Sequence, residues 1–359
     1  MTLLCASSFS LSSLLLVSFL VVLVSHFSES EAQPSTAIAE GLSWIFHRSS
    51  CPNLESIVRN HLKKVFKKDI GQAAALLRIF FHDCFVQGCD ASVLLDGSFA
   101  NPSEKEAPPN FTLRPDAMKT LEDLRALVHK TCGRVVSCAD ITTLAGRDAV
   151  FLSEGPDFAV PLGRRDGLTF ATRATTLANL PGPGSTADAL LRSLGALNFD
   201  AADVVALSGA HTIGRCHCNS FTSRLYPTQD PTMETTFAIN LKLTCPTGTT
   251  VNTTVLDIRT PNKFDNRYYV DLVSRQGLFT SDQDLFFNER TRGIVTSFSK
   301  DQKLFFDKFV NAVTKMGQMS VLTGKQGEIR ANCSVRNSDN RFFLPSSVVE
   351  EAVEEWAQI

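Results

Sequence analysis

The hydrophobic positions of this chain follow helical spacing along most of its length. In residues 52–68 apolar side chains recur at the i, i+3 and i+4 spacing of an amphipathic helix, with Pro52 in the predicted first turn. Similar spacing predicts helices over 116–130, 137–152, 186–197, 200–207, 266–275, 290–299 and 303–319. Ser137 and Asp200 are predicted N-caps. The polar segment 245–265 is predicted to be a loop with at most short strands, so the chain is expected to be mainly α-helical.

The segment 73–92, AAALLRIFFHDCFVQGCDAS, places two polar side chains on one face of an otherwise apolar helix. The helix opens at Gly71, and Arg78 precedes His82 by four residues, which is about one helical turn. The segment is then expected to break into a loop that carries Asp83, Cys84, Cys89 and Asp90. For an arbitrary helix, a buried histidine and an arginine with a buried aliphatic stem would explain such a pair better than chemistry. The rest of the sequence reverses that preference.

Length and charge exclude some classes of function. The chain has 359 residues, enough to bury a substantial core in one large domain or in two lobes. Charged residues make up 20% of the chain and the formal net charge is −2, so the basic surface that nucleic-acid binding requires is not expected.

The N-terminal region has the pattern of a targeting segment. Residues 11–24 form an apolar run, LSSLLLVSFLVVLV, followed by a polar segment rich in small residues. The run is short for a membrane span and no later run is longer, so it is interpreted as the hydrophobic region of a signal peptide. The predicted organisation is a signal peptide over 1–32, a main domain over 33–340 and a C-terminal tail over 341–359 that ends in an acidic amphipathic helix. The mature protein is expected to be secreted or vacuolar.

Ten cysteines are spread along the chain, and Cys5 lies in the predicted signal peptide. The number that remains is odd, so at least one cysteine has no intrachain partner. Dispersed cysteines in a secreted protein favour a disulfide framework, whose connectivity the sequence alone does not define. The alternative is a zinc site formed by Cys84, Cys89 and the cluster at 216–218, but these spacings lack paired C-x2-C motifs. Three N-x-S/T sequons, at Asn110, Asn252 and Asn332, are candidate glycosylation sites.

Three further segments carry candidate functional residues. His211 lies in SGAHTIG at 208–214, where small neighbours leave room for a bulky group, although a structural histidine is the alternative. The acidic cluster TSDQDLF at 280–286 is by itself typical of a helix cap followed by a turn. In VLDIRTPNKFDN at 255–266 oxygen ligands alternate through Asp257, Thr260 and Asp265. That spacing suits Ca²⁺, and a solvated loop with Asx-turns is the alternative.

Several motifs, taken together and in order, make the chain resemble the class III secreted plant haem peroxidases, of which the horseradish enzyme is the familiar member. The resemblance covers nearly all of the mature chain, from about Leu42 to Asn337. The motifs are RIFFHDCFVQGCDASVLL from residue 78, VSCAD at 136–140, PLGRRD at 161–166, LSGAHTIG at 207–214, FDNRYY at 264–269 and SDQDLF at 281–286.

This resemblance implies an all-α fold of about ten helices. Haem b would lie between a distal lobe, about 42–185, and a proximal lobe, about 186–337. On the distal side His82 matches the base, Arg78 the cation and Phe81 a residue that packs on the haem edge. Asn110 matches the amide that orients the distal histidine, with Glu104 as its outer support. On the proximal side His211 matches the iron ligand and Asp282 its carboxylate partner, and Pro181 matches a residue that presents its carbonyl to aromatic donors.

The resemblance also implies two Ca²⁺ ions, four disulfides and one unpaired thiol, Cys216. The distal Ca²⁺ ligands would be Asp83, Val86, Gly88, Asp90 and Ser92. The proximal ligands would be Thr212, Asp257, Thr260 and Asp265, with the Lys263 carbonyl. The implied disulfides are Cys51–Cys132, Cys84–Cys89, Cys138–Cys333 and Cys218–Cys245.

The implied chemistry explains the residue types. His82 would take a proton from bound H₂O₂ and return it to the second oxygen, so the ring nitrogen facing the peroxide must be an acceptor, which an Asn110 carbonyl on the other nitrogen enforces. Arg78 would stabilise negative charge as the O–O bond breaks. Asp282 would make His211 a more electron-donating ligand. Haem would carry out the redox step, and phenolic donors would be oxidised in one-electron steps.

Some positions depart from the family pattern. Phe80 replaces the usual histidine before Phe81, and Pro108, Gly184 and Ser220 replace aromatic residues of the donor channel. A wider channel is therefore expected. The sequon at Asn110 overlaps the orienting amide, so that residue is expected to be unmodified.

The expected function is a secreted peroxidase that reduces H₂O₂ with small phenolic donors, as a monomer without nucleic-acid or membrane partners. The alternatives are a secreted haem- and calcium-binding cell-wall protein with little turnover, and a scaffold for cell-wall polymers. The pairing of Arg78 with His82 argues against an oxygen carrier, which needs no fixed distal cation.

Overall fold

Twelve α-helices, together with short 3₁₀ turns, account for slightly more than half of the chain that the computed structural model describes, residues 37–247 and 251–339. The expected all-α class is confirmed. The helices are α1 Leu54–Lys68, α2 Gly71–Val86, α3 Pro115–Cys132, α4 Cys138–Leu152, α5 Arg173–Asn179, α6 Ala187–Gly195, α7 Ala201–Ser208, α8 Thr235–Thr244, α9 Arg267–Val273, α10 Thr280–Phe287, α11 Glu289–Lys300 and α12 Gln302–Met316. The predicted signal peptide and the predicted tail lie outside the described residues.

The predicted helices are present, with bounds that differ by a few residues, and their caps follow the expected chemistry. The Ser137 side chain accepts a hydrogen bond from the backbone N–H of Asp140 at the start of α4. Asp200 and Asp203 form a reciprocal capping box at the start of α7. Both N-cap predictions are therefore confirmed.

Three short helices, α5, α8 and α10, were not predicted. The sequence of α5, RATTLAN, is rich in β-branched threonine, which lowers helix propensity. Before α8, the Glu234 side chain accepts from two backbone N–H groups and takes the place of a more usual cap. The acidic cluster at 280–286 lies within α10, where Asp282 caps the first turn by accepting from the Phe279 N–H; the expected cap is confirmed, and the expected turn is helix instead.

Two short strands form a small antiparallel ladder after the segment that carries His211. Strand β1, Arg215–His217, pairs antiparallel with β2, Thr253–Val255, so that Cys216 lies opposite Thr254. Short 3₁₀ turns at Ser92–Leu94, Glu104–Glu106, Pro108–Asn110, Gly209–Thr212, Cys218–Ser220 and Thr222–Arg224 complete the regular structure of the described chain.

Helix α2 is the centre of the fold and extends further than predicted. It continues to Val86, so Asp83 and Cys84 lie in its last turn rather than in a loop. The expected break after His82 was wrong because these residues are buried on all sides, and tertiary packing keeps such a segment helical. Its principal packing partner is α4, which is almost entirely buried as well.

Phe80 fills a space that α4 leaves beside α2. Its side chain is 2% exposed. A Cβ atom on Gly146 of α4 would lie only 2.7 Å from Phe80 Cδ1. The aromatic ring in place of the family's usual histidine is thus accommodated by a glycine on the neighbouring helix.

The segment after His211 approaches α2 closely. Gly214 has a φ of +111°, and a Cβ atom there would lie 2.9 Å from Ala74 Cβ near the start of α2. Only glycine fits both the conformation and the contact. The segment that follows His211 is therefore fixed against the helix that carries Arg78 and His82.

The structure contains the four disulfides that the resemblance implied: Cys51–Cys132, Cys84–Cys89, Cys138–Cys333 and Cys218–Cys245. Cys216 is a buried free cysteine, as expected. The zinc alternative was wrong, because Cys84, Cys89 and Cys218 are consumed by disulfides. The described residues contain no cluster of three or more His, Cys, Asp or Glu side chains that would bind a metal.

We expect Gly146→Ala to destabilise the protein by about 1–3 kcal/mol through overpacking against Phe80. Thermal unfolding of the purified protein would show this as a lower Tm. The penalty should shrink in a Phe80→Leu background, because the smaller side chain frees the space that the new methyl group needs. Gly293→Ala in α11 is the matched control, since nothing lies within 4 Å of its added Cβ. An equal effect of Gly146→Ala in both backgrounds would contradict the proposed packing.

Candidate active site

Arg78 and His82 form a direct pair on the same face of α2. Arg78 Nε donates to His82 Nε2 over 3.2 Å. The guanidinium is also held by residues 109–112, which lie in and just after the 3₁₀ turn Pro108–Asn110. It donates to the Pro109 carbonyl over 2.7 Å, and to the hydroxyl and carbonyl of Thr112 over 3.0 and 3.2 Å. The cation is therefore fixed from two directions rather than mobile.

The second ring nitrogen of His82 is fixed by an amide. His82 Nδ1 lies 2.6 Å from Asn110 Oδ1, and Asn110 Nδ2 donates to the Glu104 carbonyl over 2.8 Å. Because the amide nitrogen is used by Glu104, Oδ1 faces the histidine and Nδ1 carries the ring proton. Nε2 is then the nitrogen with a free electron pair. Asn110 is 3% exposed and its Nδ2 is engaged, which leaves no room for a glycan on the folded protein.

The electrostatics of this pair favour a neutral base beside a cation. Burial, and then the charge of Arg78, lower the pKa of His82 to about 3, against an opposing effect of the Asn110 hydrogen bond. Burial lowers the pKa of Arg78 to about 10, so the guanidinium stays charged at neutral pH. Burial also raises the pKa of Glu104 to about 7, and its carboxylate accepts from the Ala171 N–H over 2.8 Å.

His211 and Asp282 form a second fixed pair. His211 lies in the 3₁₀ turn Gly209–Thr212 after α7, and Asp282 lies in the first turn of α10. His211 Nδ1 donates to Asp282 Oδ1 over 2.7 Å. The same oxygen accepts the Tyr268 hydroxyl over 3.0 Å, while Oδ2 accepts the Phe279 N–H over 3.0 Å. Burial and the Asp282 charge raise the pKa of Tyr268 well above its usual value, so it remains a donor.

These surroundings fit a haem iron on His211. The ring lies edge-on between Tyr268 and Phe279, and its Nε2 has no hydrogen-bond partner among the described residues. The side chain is 37% exposed, although its partner Asp282 is buried, so a ligand can reach that nitrogen. A histidine whose other nitrogen is fixed by a carboxylate is the usual arrangement of a metal-ligating imidazole.

The predicted distal calcium ligands converge at the end of α2. Asp83 accepts from the Ala91 N–H over 2.8 Å and Asp90 from the Ser92 N–H over 3.0 Å, and the buried Ser92 hydroxyl has no hydrogen-bond partner among the residues that the structure describes. Burial, and then proximity to Asp90, raise the pKa of Asp83 well above its usual value. An orphaned hydroxyl and two adjacent buried carboxylates fit a hard cation. The carbonyls of Val86 and Gly88 flank this cluster in the sequence.

The predicted proximal calcium ligands also lie together. Thr212 Oγ1 is 3.0 Å from Asp257 Oδ2, and Thr260 Oγ1 is 3.0 Å from Asp265 Oδ1. Thr212 Oγ1 lies 3.4 Å from the Lys263 carbonyl. Oxygen atoms from two chain segments, Thr212 and the loop 257–265, therefore meet one residue after His211, and the set is of the type that Ca²⁺ prefers.

Two other predicted residues are placed less tightly. Phe81 is half-buried beside His82, with ring centroids 5.4 Å apart. Pro181 is half-buried in the connection between α5 and α6. Both stay predictions as haem-edge and donor contacts.

Sequence reasoning missed Thr112, which holds Arg78, and Tyr268, which binds Asp282. Thr112 lies 34 residues from Arg78 and Tyr268 lies 14 residues from Asp282. Tyr268 is part of the FDNRYY motif, so its presence in a motif was the only available signal. For Thr112 the sequence offered no signal.

The fold, the paired Arg78 and His82, and the carboxylate-bound His211 together define a haem peroxidase of the plant type. The family model for peroxidase matches residues 58–301. Peroxidase 12 of Arabidopsis thaliana is 59% identical over 95% of this chain and 95% of its own length. Cationic peroxidase SPC4 of Sorghum bicolor is 56% identical over 89% of both chains, and Peroxidase N of Armoracia rusticana is 43% identical over 84% of this chain and 93% of its own. The chain belongs to the peroxidase family, in its class III plant branch.

Family membership confirms the predicted function at this level. The protein is a haem-dependent peroxidase that acts on H₂O₂, which is favoured over a binding protein with little turnover. Among the described helices none has the length and apolar character that a membrane span requires.

We expect the rate of H₂O₂ reduction to be independent of pH from neutrality down to the acidic range and to fall as the pH approaches about 3. The reason is that the pKa of His82 is lowered to about 3, so the imidazole stays neutral and able to accept a proton at any higher pH. Arg78→Leu removes one of the causes of that lowering, so its rate should begin to fall at a higher pH. Stopped-flow rate constants across the pH range measure both. An apparent pKa at or above the ordinary histidine value of about 6.5 in the wild type would contradict the assignment.

Proposed function

We propose that His82 is the general base and then the general acid of peroxide reduction, with Asn110 as its orienting partner. The observation that carries this proposal is the hydrogen-bond chain from His82 Nδ1 through Asn110 to the Glu104 carbonyl. It keeps the electron pair of Nε2 available on the side where Arg78 lies. A neutral imidazole takes the proton of one peroxide oxygen there and delivers it to the other oxygen, which leaves as water.

Arg78 supplies positive charge where the O–O bond breaks. Its Nε–H occupies His82 Nε2 in this structure, so peroxide enters by replacing that contact. The Pro109 and Thr112 acceptors keep the guanidinium in place during the exchange. A fixed cation next to developing negative charge is worth more than a mobile one, because no reorganisation is needed.

His211 would hold the haem iron through Nε2, with Asp282 increasing its electron donation. Haem, when bound, supplies the redox chemistry with peroxide and with the organic donor. The described residues orient the ligand and hold its Nδ1 proton at Asp282 Oδ1.

Small phenols are the proposed donors, oxidised one electron at a time near Phe81 and Pro181. Gly184 is exposed and nothing lies within 4 Å of a Cβ atom added there. Together with Pro108 and Ser220, which also replace bulky aromatic side chains, it supports a wide donor channel. Such a channel would accept larger phenols than a channel ringed by aromatic side chains.

Two structural calcium ions complete the proposal, one at Asp83, Val86, Gly88, Asp90 and Ser92, and one at Thr212, Asp257, Thr260, Lys263 and Asp265. Each site adjoins a functional histidine in sequence.

We also propose a secreted or vacuolar monomer with a signal peptide over 1–32, a haem domain over 33–340 divided near residue 185, and a tail over 341–359. N- and C-terminal sequencing of the purified protein would test the processing.

The direct test of the function is reconstitution of the refolded chain with hemin and Ca²⁺. A Soret band and oxidation of guaiacol that depends on H₂O₂ are expected. Correctly folded protein that gave no Soret band under these conditions would contradict the proposal.

We expect Arg78→Leu to slow the reaction with H₂O₂ by about 100-fold or more while haem stays bound, because the charge opposite the breaking bond is lost. Arg78→Lys should retain part of the rate, since it keeps the charge but not the planar fork. Stopped-flow mixing with H₂O₂ measures this step separately from donor oxidation. Arg290→Leu on the exposed face of α11 is the matched control and should behave as wild type. Normal peroxide kinetics in Arg78→Leu would exclude the assigned role.

We expect chelation of Ca²⁺ to lower both activity and Tm. A ligand at about 100 times its Kd stabilises by about 2.7 kcal/mol, which corresponds to a Tm loss of about 5 °C or more on removal. The loss should become smaller as the pH is lowered from 7, because the raised pKa of Asp83 lets protonation relieve the repulsion in the calcium-free protein. Metal analysis should give two Ca²⁺ per chain, and added Ca²⁺ but not Mg²⁺ should restore both properties. Full activity and an unchanged Tm after complete removal would refute the ligand assignments.

A further inference from the structure

Asp282 receives three hydrogen bonds, and two of them converge on one oxygen. His211 Nδ1 and the Tyr268 hydroxyl both donate to Oδ1, over 2.7 and 3.0 Å, whereas within the described chain Oδ2 accepts from the Phe279 backbone alone. The donor that competes with His211 is therefore a phenol, and it competes for the same oxygen.

Tyr268 is held in this position by the fold. It is the second residue of α9 and its side chain is 2% exposed. Its ring meets the His211 imidazole edge-on, with centroids 6.2 Å apart and an interplanar angle of 82°. Among the described residues its hydroxyl has Asp282 as its hydrogen-bond partner. Because the ring is buried and its hydroxyl has this acceptor, the hydrogen bond from Tyr268 to Asp282 is a fixed part of the site.

A second hydrogen-bond donor to a carboxylate oxygen weakens the hydrogen bond that the first donor forms with it. A hydrogen bond to a buried carboxylate stabilises its negative charge and lowers its strength as an acceptor for other donors. The Nδ1 proton of His211 is then drawn less strongly toward Asp282, and His211 keeps less anionic character. A less anionic axial ligand stabilises ferric iron less, and outer hydrogen bonds of this kind tune metal sites.

We propose that Tyr268 is a positioning residue that limits the electron donation of His211 by sharing the Asp282 oxygen, and so raises the reduction potential of the haem iron. The inference rests on the proposed role of His211 as the iron ligand. Tyr268 of the FDNRYY motif would thus affect the iron through Asp282 and His211, without contact with the substrate or the iron.

Tyr268→Phe tests this in the holoenzyme, because it removes the hydroxyl and keeps the ring. The ferric/ferrous equilibrium should shift toward ferric iron by about threefold to tenfold, where a tenfold shift of a one-electron couple corresponds to about 59 mV. The iron–histidine stretching band of the ferrous form should move to higher frequency in resonance Raman spectra. Tyr269→Phe is the matched control, since the neighbouring hydroxyl donates to the Val205 carbonyl and its loss should leave both readouts unchanged.

A second experiment uses a labelled protein in which the hydrogen bond from Tyr268 to Asp282 is stronger rather than absent. The chain has three tyrosines, so 3-fluorotyrosine labelling in a Tyr226→Phe, Tyr269→Phe background places the label at Tyr268 alone. The more acidic phenol is a better donor, so the equilibrium should shift toward ferrous iron, opposite in sign to Tyr268→Phe. This arm also decides the matter if Tyr268→Phe fails to retain haem.

Opposite shifts in the two proteins would support the proposal. An unchanged potential in the fluorinated protein, or equal shifts in Tyr268→Phe and Tyr269→Phe, would overturn it while leaving the proposed function intact. A wild-type ferrous spectrum without an iron–histidine band would overturn the proposed function, and this inference with it.

Discussion

The site depends on one constraint that is applied twice, namely that the Nδ1 atom of each functional histidine is fixed by an oxygen acceptor. His82 meets the neutral amide of Asn110, and His211 meets the carboxylate of Asp282. In both rings the proton is therefore on Nδ1 and the electron pair on Nε2. The difference between the two acceptors separates the two roles, because an amide leaves the imidazole a weak neutral base whereas a carboxylate makes it electron-rich.

Helix α2 links this constraint to the rest of the fold. Arg78 and His82 lie on it one turn apart, and Asp83 follows at once as a proposed calcium ligand. Glu104 connects the Asn110 amide with the proposed calcium site. Its carbonyl accepts a hydrogen bond from Asn110, and its buried carboxylate lies near Ser92. Loss of the proposed calcium ion would therefore disturb the position of His82 in two ways, through the end of α2 and through the hydrogen bond from Asn110. The Cys84–Cys89 disulfide closes the same turn.

Much of this could be predicted from the sequence, but for different physical reasons. The long helices follow from hydrophobic periodicity, and the caps at Ser137 and Asp200 follow from local side-chain chemistry. Helix α2 ended later than predicted because its last turn is stabilised by burial, which polar residues such as Asp83 conceal in a sequence. The short helices α5 and α8 have weak propensity and depend on tertiary packing.

The site itself could be predicted only through the resemblance to known peroxidases. No spacing rule connects His82 to Asn110, or His211 to Asp282, because these pairs are joined by the fold rather than by one element. Thr112 and Tyr268 were missed for the same reason, since a hydroxyl that serves a distant side chain has no local pattern. Phe80 was unexplained in the sequence because its counterpart is Gly146, a residue whose role is to be small.

The most direct test of the division between the two histidines is a comparison of His211→Ala and His82→Ala after loading with hemin and Ca²⁺, by absorption spectroscopy and stopped-flow mixing with H₂O₂. This division predicts that His211→Ala loses the histidine-ligated haem spectrum and regains it with added imidazole. His82→Ala should keep that spectrum and lose rapid peroxide reduction. A histidine-ligated spectrum in His211→Ala without imidazole, or rapid peroxide reduction in His82→Ala, would contradict it.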